Sequence, residues 1–243
     1  MTDHPPKNRP ATLAIDIGGS GLKATVLDGL GEMMSERIRV PTPQPIDPDI
    51  LVDTLAGLAD GVPPFDRVSV GFPGVVRNGV VRTAENLNND AFRGFDLASA
   101  LEKRLGKPTR VINDADMQGY GAIQGKGLEM VITLGTGMGS ALFNNGRLAP
   151  HLELAHHPFH RGHTYEDELG EKARQRFSRR KWNKRLLEAI ERLRALTNFD
   201  HLYIGGGNAK RVEVELPPDV SLVDNAAGLL GGIRLWEEER RRV

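Results

Sequence analysis

The sequence carries one local pattern twice, and this duplication constrains the fold more than any other feature of the chain. An apolar run, a glycine loop with Ser or Thr, and a second apolar run follow one another near residue 16 and again near residue 135. Short apolar runs that end in glycines are typical of buried strands entering tight turns. The duplication therefore predicts an α/β fold of two related lobes that face one another across a cleft.

Strand patterns and helix patterns share the rest of the chain, which favours mixed sheets with helices packed against them. We expect a disordered tail over residues 1–10, an N-terminal lobe over residues 11–112 and a C-terminal lobe over residues 113–224. Residues 225–243 contain a final helix pattern, and we expect that helix to pack back on the N-terminal lobe. A charged helical stretch is predicted from Glu166 to Thr197.

Composition excludes several classes of function. Lys plus Arg and Asp plus Glu are both 32 of 243 residues, so the net charge is zero and favours neither nucleic acid nor membrane as a partner. The absence of cysteine excludes disulfides, thiol catalysis and any cysteine-ligated zinc site. The polar N-terminal stretch lacks the apolar core typical of a signal peptide, so we expect none, and no apolar run is long enough to span a membrane. We expect a soluble cytoplasmic protein.

The two glycine loops are candidates for binding phosphate groups. Glycine lets backbone N–H groups approach an anion closely, and neighbouring hydroxyls add donors. Neither loop has the G-x-x-x-x-G-K-[ST] motif of a P-loop. Hairpin glycines without a ligand are the alternative, which two such loops in one chain make weaker. The candidates are Gly18, Gly19 and Ser20 in the first loop and Gly135, Thr136, Gly137 and Gly139 in the second.

Two charged residues flank the first glycine loop. The ionised carboxylate of Asp16 can only accept hydrogen bonds, and it suits a Mg²⁺ ion that keeps most of its water ligands. Lys23 can supply a cation to a phosphate, although its place in a strand can also direct it elsewhere. The first loop is therefore predicted to bind phosphate with help from magnesium.

Asn113, Asp114 and Asp116 follow a predicted strand and begin a predicted helix. A carboxylate within hydrogen-bond reach of a sugar hydroxyl can act as a general base, and Asp114 is our candidate. Asn113 offers a donor and an acceptor that can orient the same hydroxyl. An Asp at a strand-to-helix junction is often an N-cap, and we assign that role to Asp116.

Glu153 and His156 stand three residues apart, and a carboxylate and an imidazole at one turn suit the gripping of vicinal sugar hydroxyls. His157, His160 and His163 follow, so a metal site is the alternative. Proline and glycine breaks in this stretch make a regular set of metal ligands the weaker hypothesis.

The segment from Lys172 to Arg185 holds eight basic residues and no acidic ones. A solvated helix face balanced by the acids before it is one interpretation. A track for a polyanion is the other, and a linear phosphate polymer fits it better than nucleic acid, since the segment has few aromatic residues for stacking. The candidate track is Arg179, Arg180 and Lys181.

Taken together, these residues resemble the ROK family of sugar kinases in the actin-like ATPase superfamily, and within it the polyphosphate glucokinases. The resemblance runs from Leu13 to Trp236. Its most specific parts are Asp16 to Lys23, Gly71 to Thr83, Asn113 to Asp116 and Leu134 to Gly139.

The resemblance implies two actin-like (ribonuclease H-like) lobes with mixed sheets around an interlobe cleft, Mg²⁺ as cofactor and a homodimer. It implies Asp114 as catalytic base and Asn113, Glu153, His156 and Glu166 as sugar contacts. Glu168 is an alternative match for Glu166, and Asn86 is a further candidate contact. Gly205, Gly206 and Gly207 are expected to face the phosphoryl donor together with the second glycine loop.

The chain departs from the family pattern in three places. Ala155 stands where the Glu-x-Gly-His motif has glycine, and a backbone needing positive φ there would disfavour alanine, so we expect altered sugar binding. The cysteine zinc box of many family members is missing, so no structural zinc is expected. The stretch from His157 to Gly170 is divergent, which leaves the sugar open.

The leading hypothesis is a kinase that transfers a phosphoryl group from polyphosphate to the 6-hydroxyl of glucose or a related hexose, with ATP left open as an additional donor. An ATP-dependent kinase for another hexose or an amino sugar is the first alternative. A non-catalytic sugar-sensing regulator is the second, but such ROK proteins carry a helix-turn-helix before the kinase-like fold. Only residues 1–10 precede the first predicted strand here.

Overall fold

The structure is a computed structural model that describes residues 9–85, 87–224 and 227–237. The described residues divide into two compact units, one formed by those up to residue 117 together with those from residue 228 onwards, and the other by those between residues 118 and 227. Most of the predicted tail, up to residue 8, lies outside the described residues, as do residues 225, 226 and 238–243 of the predicted C-terminal segment.

The strands in chain order are β1 (Thr12–Ile17), β2 (Gly21–Leu27), β3 (Ile38–Pro41), β4 (Arg67–Phe72), β5 (Val76–Arg77), β6 (Val80–Val81), β7 (Thr109–Asn113), β8 (Leu128–Leu134), β9 (Met138–Asn144), β10 (Arg147–Leu148), β11 (Pro158–His160), β12 (His163–Thr164), β13 (His201–Gly205) and β14 (Val220–Leu222). The helices are α1 (Pro48–Asp60), α2 (Asn89–Phe92), α3 (Leu97–Leu105), α4 (Asp114–Ala122), α5 (Tyr165–Leu169), α6 (Glu171–Arg176), α7 (Arg179–Thr197) and α8 (Ala227–Arg234).

Each unit is built on a five-stranded mixed sheet. The first sheet has the order β3-β2-β1-β4-β7, in which β1 to β3 are antiparallel and β1, β4 and β7 are parallel. The second sheet has the order β10-β9-β8-β13-β14, in which β8 to β10 are antiparallel and β8, β13 and β14 are parallel. The α/β class and the duplicated strand–loop–strand pattern predicted from the sequence are confirmed at this level.

The core of the first unit lies between its sheet and its helices. The sequence of β1 does not alternate between apolar and polar residues, because this strand is buried on both faces, as central strands of mixed sheets are. Helix α1 begins with Pro48 and is capped by Asp47, whose carboxylate accepts the Ile50 N–H at 2.9 Å. Its apolar stripe, which includes Leu51 and Leu55, packs into the same core as β1.

Helix α8 packs on the sheet of the first unit. The Ser69 hydroxyl on β4 donates to the Gly232 carbonyl at 2.6 Å and accepts from the Trp236 indole N–H at 2.8 Å. Arg110 of β7 donates to the Leu235 carbonyl at 2.8 Å, and its guanidinium stacks 4.2 Å from the Trp236 ring centre. These polar contacts attach the end of the described chain to strands β4 and β7.

The core of the second unit lies between its sheet and helix α7. Trp182, Leu186 and Ile190 of α7 are fully buried in one cluster with apolar residues of β8 and β13. The single helical stretch predicted from Glu166 to Thr197 is three helices, because Gly170 takes an extended conformation and Ser178 starts a new helix by accepting the Lys181 N–H. Across the described ranges, none of the helices combines the length and apolar character needed to cross a membrane.

Candidate functional site

The first glycine loop joins β1 to β2 in the first unit. Gly18 closes the loop by donating its N–H to the Gly21 carbonyl at 3.0 Å, and Gly19 and Ser20 are exposed at the tip. The Gly18 carbonyl accepts the Thr42 hydroxyl at 2.6 Å. The predicted phosphate-binding residues of this loop therefore form a short turn with its tip open to solvent.

Asp16 and Lys23 form an ion pair beside this loop. They lie directly opposite one another on β1 and β2, and the Lys23 ammonium donates to Asp16 Oδ2 at 2.7 Å. Both side chains are about one-third exposed, at 32% for Asp16 and 35% for Lys23. Of the two orientations left open for Lys23, the structure has the one that points to Asp16.

Gly71 separates Asp16 from the start of helix α4. It lies beside Asp16 in the parallel register of β1 and β4. A Cβ built on Gly71 would lie 2.9 Å from Met117 Cε and 3.3 Å from Asp114 Cα. The missing side chain therefore lets the first turn of α4 rest on β4, next to the strand that carries Asp16.

Asn113 ends β7 and caps helix α4. Its Oδ1 accepts the N–H groups of Ala115 at 2.8 Å and Asp116 at 3.1 Å, and its Nδ2 donates to the Gly74 carbonyl at 3.1 Å. The prediction that Asp116 is the N-cap is wrong, because Asn113 holds that place and Asp116 lies 3% exposed in the first turn. Since both lone pairs of Asn113 Oδ1 are used, this residue offers a ligand only a donor.

Asp114 is the first residue of α4 and is half-buried. One of its carboxylate oxygens accepts the Ala115 N–H at 2.8 Å. The exposed N–H groups and the dipole at the start of a helix favour a negative charge there. The strand end, the Asn113 cap and Gly71 thus place the Asp114 carboxylate at a defined position in the first unit.

The second glycine loop joins β8 to β9 in the second unit, and its carbonyls point towards helix α6. The Gly135 carbonyl accepts from the Glu171 N–H at 3.0 Å and from Asn208 Nδ2 at 3.2 Å, and the same Glu171 N–H lies 3.2 Å from the Thr136 carbonyl. In the part of the chain that the structure describes, the N–H groups of Thr136 and Gly137 have no protein acceptor. Successive N–H groups left in this way are available to an anion.

The third glycine run, Gly205 to Gly207, ends β13 and contacts the second loop. Gly206 has a φ of 86°, and a Cβ built on it would lie 2.8 Å from the Leu134 carbonyl carbon. Asn208 directly after the run donates its N–H to the Leu134 carbonyl at 2.9 Å. Two of the predicted donor-binding segments, Gly135 to Gly139 and Gly205 to Gly207, are therefore adjacent in the second unit.

Glu171 and Asn208 hold these two segments together, and the sequence analysis did not identify either residue. Asn208 Nδ2 donates to Glu171 Oε2 at 2.9 Å. Arg174 donates to both oxygens of the same carboxylate through its Nε and Nη2, and Gln175 donates to it at 2.8 Å. The Arg174 hydrogen bond, with those of Asn208 and Gln175, lowers the pKa of Glu171 to about 2.

Glu153 lies between two imidazoles in the second unit. His151 Nε2 is 2.8 Å from Glu153 Oε1, and His156 Nε2 is 3.7 Å from Oε2. The hydrogen bond with His151 is the main reason why the pKa of Glu153 is lowered. The structure thus places the predicted pair Glu153 and His156 side by side, and it adds His151 as a second partner of Glu153. The sequence could have indicated His151, because it lies only two residues before Glu153.

Glu166, another predicted sugar contact, lies against the second glycine loop. Its Oε2 accepts the Met138 N–H at 3.4 Å, and a Cβ built on Gly137 would lie 2.8 Å from its carboxyl carbon. Glu168, the alternative match, is instead buried and bound by Arg185 at 2.8 Å and Arg176 at 3.5 Å. Glu166 is therefore the better candidate. Asn86, the remaining candidate contact, lies outside the described residues.

Ala155 does not have the strained backbone expected for an alanine in place of glycine. It lies in a single 3-10 turn over Leu154–His156, outside the set of residues with positive φ. Its methyl group is buried in the core of the second unit. The expectation of strain was wrong because the turn needs no left-handed residue at this position.

The histidines after Glu153 do not meet at one point. His160 and His163 are paired across β11 and β12, His160 contacts Glu188 at 3.4 Å, and His157 faces the Pro158 carbonyl. Within residues 9–85, 87–224 and 227–237, no group of three or more His, Asp or Glu side chains is arranged to hold a metal ion.

The basic segment is partly neutralised by neighbouring acids. Arg174 pairs with Glu171, Arg185 with Glu168 and Glu188, and Arg179 with Glu213 at 3.0 Å. Lys181 lies with its ammonium 4.0 Å from the Phe177 ring centre. Arg180 and Lys184 are exposed and have no carboxylate partner among the described residues, and their spacing of four puts them on one face of α7.

Comparison with known proteins gave consistent matches. The model of the ROK family matches residues 12–174. The polyphosphate glucokinase of Mycobacterium tuberculosis (strain ATCC 25177 / H37Ra) is 32% identical over 237 residues, which cover 89% of this chain and 88% of that protein. The N-acetylmannosamine kinase of Escherichia coli (strain SE11) is 34% identical over 142 residues, covering 56% of this chain and 48% of that protein.

Among solved structures, the inorganic polyphosphate/ATP-glucomannokinase from Arthrobacter sp. strain KM has a TM-score of 0.84 and 32% sequence identity. The match covers 95% of this chain and 99% of that one.

Proposed function

The chain belongs to the ROK family and has its actin-like α/β fold, and from that premise we propose that it is a phosphotransferase with an alcohol acceptor, a glucokinase that uses polyphosphate and also ATP. The observation that carries the proposal is Asp114, half-buried at the start of α4 and beside Gly71 of the strand next to Asp16. The similarity to a polyphosphate glucokinase and a polyphosphate/ATP-glucomannokinase supports the choice of substrates.

In the proposed reaction Asp114 acts as general base. Its carboxylate takes the proton of the glucose 6-hydroxyl as that oxygen forms a bond to the terminal phosphorus of the donor. The anhydride bond between that phosphorus and the bridging oxygen breaks, and the bridging oxygen leaves with the electron pair on a donor shortened by one phosphate. Such a transfer needs mainly positioning and neutralisation of charge.

Four residues are proposed to bind the sugar. Asn113 offers an Nδ2 donor, because its oxygen caps α4. Glu153, with its pKa lowered by His151, offers an ionised acceptor, and His156 stands beside it. Glu166 offers a second carboxylate at the Gly137 loop. Carboxylates and imidazoles that accept and donate to vicinal hydroxyls give a sugar site its orientation.

Donor binding is proposed for the glycine segments. The N–H groups of Thr136 and Gly137 suit an oxyanion, and Gly18 to Ser20, Gly139 and Gly205 to Gly207 are also proposed as phosphate-binding residues. Asp16 suits a Mg²⁺ ion bound through water, because its carboxylate is accessible and Lys23 donates to only one of its two oxygens, Oδ2. The ion would neutralise charge on the donor phosphates.

The polyphosphate track is proposed for Arg179, Arg180 and Lys181, with Lys184 added. Arg180 and Lys184 supply charge that no described carboxylate neutralises. The Arg179–Glu213 pair is exposed, with 71% and 48% of the side chains accessible, and exposed pairs of this kind are weak enough for a polyanion to displace. The homodimer that the resemblance implies and the cytoplasmic location expected from the composition belong to the same proposal.

A kinase for an amino sugar is the second candidate, because the N-acetylmannosamine kinase of E. coli is 34% identical over 142 residues. The test is phosphorylation of glucose, mannose, glucosamine and N-acetylmannosamine by the purified chain with Mg²⁺, using polyphosphate or ATP as donor. Turnover of glucose with polyphosphate, weakened by salt, supports the proposal. Turnover of an amino sugar alone contradicts the assigned acceptor, and turnover with ATP alone contradicts the track.

A further inference from the structure

Three charged side chains stand in a row across β1, β2 and β3 in the first unit. Asp16 is directly opposite Lys23, and Lys23 is directly opposite Arg39. Side chains directly opposite one another in antiparallel strands project from the same face of the sheet. The row therefore extends from the predicted magnesium and phosphate residues to an arginine on the edge strand that no motif identified.

Arg39 is the residue of this row whose charge no described carboxylate neutralises. Asp16 and Lys23 neutralise one another through their 2.7 Å contact. Arg39 is exposed, and among the described residues no carboxylate or hydrogen-bond acceptor holds its guanidinium. The row as a whole thus carries one net positive charge, located on β3.

The Arg39 side chain lies along β2 over Gly21, the residue that ends the first glycine loop. A Cβ built on Gly21 would lie 3.2 Å from Arg39 Nε and 3.5 Å from its Nη2. The guanidinium can lie there because Gly21 has no side chain. Gly18 is hydrogen-bonded to Gly21, so Arg39 approaches the base of the loop whose tip is Gly19 and Ser20.

We propose that Arg39 is a further donor-binding residue, whose guanidinium binds non-reacting phosphates of a phosphoanhydride chain beside the first glycine loop. The fork of N–H donors in arginine matches two phosphate oxygens at once, which the ammonium of Lys23, occupied by Asp16, does not. The inference rests on the proposed function in that it takes a phosphoryl donor as the ligand. It adds a residue and a strand that the family motifs leave out.

The competing explanation is a solvated charge that prevents edge-to-edge pairing of β3. Arg37 provides the matched control, because it is exposed and two residues away but precedes β3 and does not lie over Gly21. Arg39→Gln removes the charge and the fork, Arg39→Lys keeps the charge alone, and Arg37→Gln removes an equal charge nearby.

The first measurement is binding of inorganic tripolyphosphate to the full chain by calorimetry, which needs no turnover. Arg39→Gln should weaken binding about 10-fold or more and reduce its salt dependence, because a charge-assisted contact is lost. Arg39→Lys should fall between that variant and the wild type, and Arg37→Gln should bind like the wild type. Equal loss in Arg37→Gln and Arg39→Gln, or no loss in Arg39→Gln, overturns the proposal.

The second measurement compares donors in the kinase reaction at saturating glucose. A rise in KM for both ATP and polyphosphate supports a contact with phosphates that the two donors share. A rise for polyphosphate alone supports a contact further along the polymer. If the wild type binds tripolyphosphate through Arg39 but phosphorylates no sugar, the proposed function fails and the Arg39 site stands. If the wild type does not bind tripolyphosphate, the Arg39 site fails.

Discussion

Asn208 Nδ2 lies 2.9 Å from Glu171 Oε2, and this contact joins two glycine segments that are 70 residues apart in the chain, at Gly135 and Gly205. The same Nδ2 donates to the Gly135 carbonyl at 3.2 Å, and the Glu171 N–H donates to that carbonyl at 3.0 Å. The Gly135 carbonyl is therefore held from two sides, beside the N–H groups of Thr136 and Gly137 that we propose bind the donor.

Asn208→Ala should therefore impair use of the donor more than use of the sugar. Loss of the carboxamide frees the second glycine loop on one side, and a misplacement of the loop by about 1 Å can cost up to about 100-fold in rate. We expect kcat/KM for the donor to fall by about 10-fold to 100-fold and KM for glucose to change little. Gln175→Ala is the control, since Gln175 binds Glu171 without touching the loop. Steady-state kinetics with each substrate varied in turn provide the measurement. An equal loss in both variants would contradict the account.

The Glu171 carboxylate should also make the stability of the protein depend on acid pH. Its pKa in the folded protein is about 2, against an ordinary value of 4.5, chiefly because Arg174 donates to it. A depressed pKa contributes stability that is complete above pH 4.5 and is lost as the pH falls towards 2. Urea unfolding of wild type and Glu171→Gln should differ most at neutral pH, and the difference should shrink with acid. A difference that stays constant down to pH 2 would show that this ionisation is not involved.

Gly71→Ala should lower turnover by moving the start of α4. The added methyl group would meet Met117 Cε at 2.9 Å and Asp114 Cα at 3.3 Å, and only the methionine end can move easily. We expect kcat to fall by about 10-fold or more, with the substrate KM values nearly unchanged. The control is Gly57→Ala in α1, where a Cβ meets nothing within 4 Å and alanine should stabilise the helix by about 1 kcal/mol. Recovery of turnover in Gly71→Ala/Met117→Ala would identify Met117, rather than Asp114, as the obstacle.

Glu166→Gln should affect the KM for glucose, whereas Glu168→Gln should affect the stability of the protein. Glu168 is buried against Arg185, so loss of its charge should destabilise the protein by about 3 kcal/mol and leave KM for glucose unchanged. Glu166 lies at Gly137 and has no arginine partner among the described residues, so its replacement should raise KM for glucose without a change in Tm. Thermal melts and glucose kinetics on both variants decide the matter. If Glu168→Gln alone raised KM, the assignment of the two residues would have to be exchanged.

Local patterns in the sequence predicted the elements of the site, and contacts between distant residues decided its details. The strand–loop–strand repeats could be predicted because buried strands and glycine turns are encoded within a few residues. The cap of α4 could not, since Asn113 and Asp116 are both good capping residues and only the chain path after β7 selects Asn113. Ala155 was misjudged because backbone conformation at one position is not visible in residue type.

The residues that the sequence analysis missed share one property, which is that their partners are far away in the chain. Asn208 and Glu171 are 37 residues apart, and their meeting depends on how β13 and α6 lie against the second loop. Glu166 and Glu168 are equivalent in sequence and differ only in facing Gly137 or Arg185. Arg39 acquires its place only through the register of β2 and β3.

The most direct test of the central claim is Asp114→Asn, measured for turnover and for glucose binding in the same preparation. The amide keeps the size of the side chain and the start of α4 but cannot take a proton. We predict that kcat with polyphosphate and glucose falls by about 1000-fold while the Kd for glucose stays within about 2-fold of the wild type. Turnover near the wild-type value would contradict the account, because the base would then have to be another residue.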